Sequence, residues 1–256
     1  MNFLNQVLEV KQAEVARLRA NPPRVTAIGD RAFSRALGGP GLSVIAEIKR
    51  RSPSKGDLSP DLEPARAARA YASGGARAVS CLTDSLFFGA RPDDFASART
   101  AGLPVLRKDF IIDEIQIDES VRLGASAILL IARILEAPRL AALLRRATSL
   151  GLDVLVEVHD ESEVEAALQA GASIVGVNNR DLASLQVDPD RALRLRPRIP
   201  EGVATVAESG VKTRDDVKRI EDAGFSAVLI GETLVRSPDP ARVLRDLMGK
   251  GKEASR

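Results

Sequence analysis

Glu47 and Lys49 stand two residues apart at the end of an apolar run in IAEIKRRSPSKG (45–56). A carboxylate and an ammonium so spaced point the same way from an extended chain, because strand side chains alternate faces with a period of two. They can then serve as proton acceptor and donor, each tuning the other's strength. Ser52, Ser54 and Lys55 follow directly, and their hydroxyls and cation suit a phosphate oxygen. Further along, Lys108, Glu157, Asn178 and Glu208 close other short apolar runs in the same manner.

These runs are the elements that must position the charges. They are SVIAEIK (43–49), RAVSCLT (77–83), PVLRKD (104–109), AILLIA (127–132), VLVEVH (154–159), IVGVNN (174–179), ATVAES (204–209) and AVLIGE (227–232). Helical patterns such as DLEPARAARAYASGG, RPDDFASARTAG, DEIQIDESVRLGA and RDDVKRIEDAG lie between them. Continuous Val, Ile and Leu runs separated by single helices predict a parallel sheet buried on both faces. Eight such units close as a (β/α)8 TIM barrel, an α/β fold whose active site lies at the C-terminal ends of its strands. A doubly wound sheet is the rival, but no dinucleotide glycine fingerprint follows the first strand. Glycines in YASGGA, RTAGLP, RLGASA, QAGAS and EDAGFS read as helix C-caps. The unbroken repeat predicts a single domain over 1–256, of which 1–42 is an N-terminal helical extension.

Strand periodicity puts Glu47, Lys49, Lys108, Glu157, Asn178 and Glu208 inward at one mouth. One charge at a strand end is ordinarily a solvated edge residue. Convergence from five strands is a stronger signal, since burying an unpaired charge costs several kcal/mol. ESG (208–210) and IGE (230–232) end strands seven and eight, where such barrels bind phosphate through loop amides and a helix N-terminus.

Composition narrows the partners. Against 37 Lys and Arg stand 35 Asp and Glu, interleaved along the chain, and there is no tryptophan and one tyrosine. Nucleic-acid binding calls for a concentrated positive patch and stacking aromatics. No run reaches membrane-spanning length, and MNFLNQVLEVKQAEV reads as a charged amphipathic helix rather than a signal peptide. The lone Cys81 excludes an intrachain disulfide, so a cytoplasmic location is expected. His159 follows Glu157 at strand spacing, but one histidine and one cysteine make a zinc site a poor reading. Lysines among the acids would compete with magnesium. Phe87 and Phe88 could pack the second βα-loop or wall a planar substrate, and spacing does not choose. Leu4, Val7, Leu8, Val15 and Leu18 form a helical stripe, NPPR ends that helix, and DRAFSRAL begins a second. From pattern alone this extension plugs the bottom of the barrel or flaps over its top.

The chain resembles the indole-3-glycerol-phosphate synthase family of tryptophan biosynthesis. The resemblance rests on VIAEIKRRSPSKG (44–56), SCLTDSLFFGA (80–90), VLRKDFIIDEIQI (105–117), LLIA (129–132), LVEVH (155–159), VGVNNRDL (175–182), VAESGV (206–211) and VLIGETL (228–234). These motifs run in family order from Leu42 to about Leu247, and the first is highly specific. The resemblance implies a lyase that uses no cofactor and no metal. It closes the pyrrole ring of 1-(2-carboxyphenylamino)-1-deoxy-D-ribulose 5-phosphate, releases CO2 and eliminates water. It further implies that Lys108 is the general acid and Glu157 the acid/base of dehydration, with Glu47 and Lys49 orienting the substrate and sharing proton transfer. By the same resemblance Asn178 and Glu208 bond hydroxyl or amine groups, Arg180 lies near an anionic end, and Ser52, Gly210 and Gly231 match the phosphate-site positions, with Ser209 bordering them. Phe87 and Phe110 match positions near the aromatic ring, and the extension is expected over the mouth. Ile115, Arg51 and Glu232 depart from the common pattern; Glu232 stands where a phosphate-binding serine is frequent.

The expected partner is thus a small phosphorylated molecule, with neither nucleic acid nor membrane, and a monomer is compatible with this reading. Two alternatives remain: a phosphate-binding barrel isomerase of an aminated sugar phosphate, and a non-catalytic sugar-phosphate-binding protein. The isomerase would leave the carboxylate in place. The binding protein would bind without turnover.

Overall fold

The computed structural model describes residues 3–25 and 29–250, so both ends of the expected 1–256 domain lie outside the described residues. Eight strands form its centre: β1 (Ser43–Ile48), β2 (Ala78–Leu82), β3 (Val105–Lys108), β4 (Ala127–Ile131), β5 (Asp153–Val158), β6 (Ile174–Asn178), β7 (Ala204–Glu208) and β8 (Ala227–Ile230). Each pairs in parallel with its sequence neighbours, and β8 returns to β1 to close the barrel. Ser43 lies opposite Ala227 and Ile45 opposite Ala78 across the two sides of β1. The fold is a (β/α)8 barrel.

Period-two alternation sorts the apolar residues into two separate cores. Val44, Ala46 and Ile48 of β1 join Val154, Val156 and Val158 of β5 in the layer between strands and helices. Ile45, Leu106, Leu155 and Val206 fill the barrel interior. The connecting helices end as their glycines require: Gly102, Gly124, Gly171 and Gly224 have φ of 74°, 75°, 89° and 77°. A residue with a Cβ adopts this left-handed region only at a cost.

The N-terminal extension does two jobs. Helix α1 (Phe3–Ala20) lies across the C-terminal ends of β2 and β3, with Val7, Lys11 and Val15 buried beneath it. Helix α2 (Ala32–Leu37) sits at the opposite end. There Ser34 N–H donates to Asp153 Oδ2 at the start of β5 (2.7 Å), and Phe33 and Leu37 share the interior core with Ala78, Ala127 and Ala227. Alanines leave the lower barrel too wide to fill itself, and the two α2 side chains occupy the space. The extension is therefore not a flap alone, because its second helix is the plug.

Candidate active site

The strands deliver their last inward residues to one basin of about 1130 Å³ at the C-terminal end of the barrel. Every sequence candidate except Phe87 borders it.

Lys108 occupies its centre. Its Nζ lies 3.1 Å from Glu157 Oε2 and 3.2 Å from Glu208 Oε2. Burial opposes the lysine's charge, but Glu157, Glu208 and Glu47 outweigh it and push the ammonium up from its ordinary value. Burial also opposes ionisation of Glu157, yet Lys108, His159 and a hydrogen bond from Asn178 hold this carboxyl below the usual range. The Asn178 amide can donate there because its Oδ1 accepts from Arg180 N–H at 3.0 Å. Glu208 behaves oppositely. Burial, together with the charges of Glu157 and Glu47, overrides Lys108 and raises it to about 8. Two carboxyls facing one ammonium thus hold different proton states near neutral pH, a division suited to acid and base work.

Glu47 and Lys49 form the second pair, 2.6 Å apart. Burial resists the Glu47 charge, but Lys49 and Lys108 prevail and lower its pKa. Ser80 Oγ donates to Glu47 Oε2 at 3.5 Å, and Tyr71 O–H reaches the Glu47 carbonyl at 3.2 Å. Small neighbours make room for these acids. A Cβ on Gly231 would lie 2.6 Å from Glu47 Oε1, and one on Gly176 would lie 2.2 Å from Glu208 Oε1.

The rim is built from loops. After β1 the chain forms a two-residue ribbon in which Ser52 pairs with Gly56. The ribbon is anchored by buried Arg50, which grips Asp94 with both terminal nitrogens and donates to Leu62 O at 2.9 Å. Ser52 and Ser54 face each other at 3.5 Å. After β7, Ser209 and Gly210 take φ of 64° and 85°, turning the chain sharply at the mouth. Strained backbone of this kind concentrates at ligand sites. Asn179 Nδ2 ties down this turn by donating to Ser209 O at 3.0 Å. Arg180 is steadied through Nη1, which donates to Leu185 O at 2.9 Å.

Phe110 and Phe88, with ring centroids 6.2 Å apart, supply the apolar wall. Phe87 does not. It lies in the single turn α3 (Ser85–Phe88) and packs edge-on against Phe3 of α1, centroids 5.2 Å apart. The turn gives its two phenylalanines different directions, and α1 captures the first. Phe3 borders the basin as well.

Sequence reasoning missed Lys11. Its ammonium is buried and lies 2.8 Å from both Asp84 Oδ2 and Asp109 Oδ1. Asp84 also caps α3 by accepting from Phe87 N–H at 2.7 Å, while Asp109 adjoins Lys108 in the chain. The available signal was spacing, since Val7, Lys11 and Val15 recur every four residues on one helical face. Lys55 and Arg236 also line the basin.

The model of the family described as indole-3-glycerol phosphate synthase matches residues 4–247. The chain is 51% identical over 242 residues to indole-3-glycerol phosphate synthase 2 of Streptomyces coelicolor, covering 94% of this chain and 91% of that one. It is 49% identical to the indole-3-glycerol phosphate synthase of Chlorobium phaeovibrioides (91% and 95% covered) and 46% to that of Mycolicibacterium gilvum (98% and 96%). Among solved structures, a mandelate oxidase superposes with TM-score 0.62 at 15% identity, covering 88% of this chain and 87% of its own. Thiamine phosphate pyrophosphorylase of Pyrococcus furiosus gives 0.60, also at 15%, covering 83% and 96%. These two share the fold alone. With the family model spanning nearly the whole barrel and relatives near half identity along its length, the chain belongs to the indole-3-glycerol phosphate synthase family.

Proposed function

We propose that the basin carries out the family's reaction with Lys108 as its principal acid. The chain is a lyase that converts 1-(2-carboxyphenylamino)-1-deoxy-D-ribulose 5-phosphate to indole-3-glycerol phosphate, CO2 and water. The ring carbon bearing the carboxylate attacks the C2 carbonyl carbon, and the carbonyl π electrons move onto oxygen. Lys108 passes a proton to that oxygen as charge develops. A donor already in place avoids the reorganisation that water would need. The electrons of the C–CO2 bond then return to the ring and CO2 leaves. In the last step Glu157, held ionised, takes a proton from C1, while the C2 hydroxyl departs as water with a proton from Lys49. Glu47 orients Lys49. Protonated Glu208 and the Asn178 amide bond the sugar hydroxyls or the amine.

The remaining rim binds the ends of the molecule. Ser52, Ser209, Gly210 and Gly231 surround the phosphate, with backbone amides replacing the hydroxyl that Glu232 does not supply. Arg180 faces the anionic end, and Phe110 and Phe88 flank the aromatic ring. Phe87 acts through α1 rather than on the ring. The small phosphorylated substrate is the sole partner in this reading, and a monomer suffices because one chain supplies every group named.

The observation that carries the proposal is the seat of Lys108 between two buried carboxyls in unlike proton states. Supplying the ribulose phosphate and following indole fluorescence together with CO2 tests it. Equal yields of both are expected. Fluorescence-silent conversion with the carboxylate retained would establish an isomerase, and binding without conversion a sugar-phosphate carrier.

A further inference from the structure

His159 is the chain's one histidine, and the reaction described above gives it no part. It lies just past β5, two residues beyond Glu157, with its side chain fully enclosed. Its Nε2 is 3.4 Å from Glu157 Oε1. Both atoms are buried, and neither has a hydrogen-bond partner among the described residues, so each is an unsatisfied polar atom facing the other. The other ring nitrogen, Nδ1, lies 3.1 Å from Glu163 Oε2 of α4 (Glu161–Gln169). That same oxygen accepts His159 N–H at 2.8 Å, which fixes the carboxylate against the ring. Glu163 Oε1 in turn accepts from Arg133 Nε at 2.6 Å, and Arg133 continues to Asp181 (2.6 Å) and to the half-exposed Asp160 (3.2 Å).

We propose that His159 is a positioning residue for Glu157, donating from Nε2 to Oε1 and from Nδ1 to Glu163, and so linking the buried carboxylate to the Arg133 cluster at the protein surface. Each ring nitrogen faces an oxygen. A bare lone pair on either side would leave acceptor against acceptor in a dry site, which is costly. Donation on both sides requires a proton on each nitrogen. Held this way, Oε1 keeps the carboxylate from rotating and leaves Oε2 for Lys108. The charged groups around the ring are Glu157 from β5, Glu163 from α4, Lys108 from β3 by way of Glu157, and Arg133 by way of Glu163. A ring so protonated adds to Lys108 in keeping Glu157 ionised. The catalytic consequence, though not the hydrogen-bonding pattern, rests on Glu157 being the base of dehydration.

A single histidine makes the test direct. In the intact protein labelled with ¹⁵N-histidine, long-range ¹⁵N–¹H spectra at neutral pH should show both ring nitrogens protonated. His159→Leu should lower kcat about 10-fold, the order seen when an outer partner of a working group is lost. KM should change little, and the acidic limb of the kcat profile should move to higher pH. His159→Gln, which retains a donor toward Glu157, should recover part of the loss. A wild-type spectrum with an unprotonated Nε2 overturns the proposal without needing any variant to fold. So does a folded His159→Leu enzyme with unchanged kcat and pH profile. If Glu157→Gln retains full turnover, the base assignment fails instead, and the spectrum still decides the hydrogen-bonding pattern.

Discussion

Lys11 of α1 and Asp109, the residue following the central lysine, form a 2.8 Å ion pair with both side chains almost wholly enclosed. The helix over the mouth is thus latched beside Lys108 itself. Removing one partner of a buried pair leaves the other charge stranded, which costs about 3–5 kcal/mol. Here Lys11→Ala takes the cation from Asp84 and leaves Asp109 with Arg107 alone. The variant should show a clearly lower denaturant midpoint and a raised KM, because Phe3 and the aromatic wall lose their support. Burial opposes the Asp109 charge, but Lys11 and Arg107 overcome it and lower the carboxyl to about 2. Its contribution to stability is therefore present above the unfolded carboxyl value, about 3.9, and is lost as pH falls toward 2. Acid titration of Lys11→Ala should show a shallower loss over that window than wild type. Equal slopes would count against the latch.

Replacement of Lys108 by alanine should lower kcat by at least about 10², the low end for a positioned general acid. Circular dichroism should remain native. Rapid-quench analysis should find uncyclised substrate rather than an accumulated later intermediate. Near-normal turnover in a folded Lys108→Ala protein would return the acid role to another group.

Glu208 gives a prediction in which activity and stability part company. Its folded pKa of about 8 lies above that of an exposed glutamate. The proton it binds on folding favours the native state at low pH, and that advantage is lost as pH rises through 8. Glu208→Gln keeps the shape without the charge, so it should stabilise the protein at pH 8 by on the order of 1 kcal/mol while reducing activity. Glu157 and Glu47 are shifted downward instead. The wild-type kcat/KM should accordingly stay flat to below the usual carboxylate range and fall on the alkaline side near 8, with limbs that belong to the interacting set. Urea titrations and a pH–rate profile check both parts. A destabilised Glu208→Gln protein at pH 8 would show that the burial cost has been misjudged.

Phosphate anchoring by amides and hydroxyls predicts that dialysis against EDTA leaves kcat unchanged. A dephosphorylated substrate should lose about 10² in kcat/KM, the scale of two charge-assisted hydrogen bonds. Loss of turnover in EDTA with recovery on adding Mg²⁺ would refute this arrangement of the rim.

The barrel and the inward acids were legible because a strand has a short, strict period: once Ile45 faces in, Glu47 must as well. The same rule placed Leu155 with Glu157 and Val206 with Glu208. Lys11 escaped because a lysine within an apolar stripe reads as a gap, and its partners lie far along the chain. The Phe87–Phe88 choice depended on where a helix from another part of the sequence would dock. The division of the extension was hidden for a similar reason, since an apolar helical stripe shows that a face is covered but not what covers it.

The latch also bears on the order in which the molecule is made. The ring contacts and ion pairs of α1, with Asp84, Phe87, Asp109, Phe110 and Asp113, and the helix Glu114–Leu123 that it packs against, all lie within the first 123 residues. A chain emerging N-terminus first therefore has the partners for its cover while β5 and β7, which carry Glu157 and Glu208, are still unsynthesised. The plug must wait, because Ser34 needs Asp153 from β5. During translation the half-built sheet can shield its top under α1 before its floor exists, and the catalytic acids then enter beneath a roof already in place.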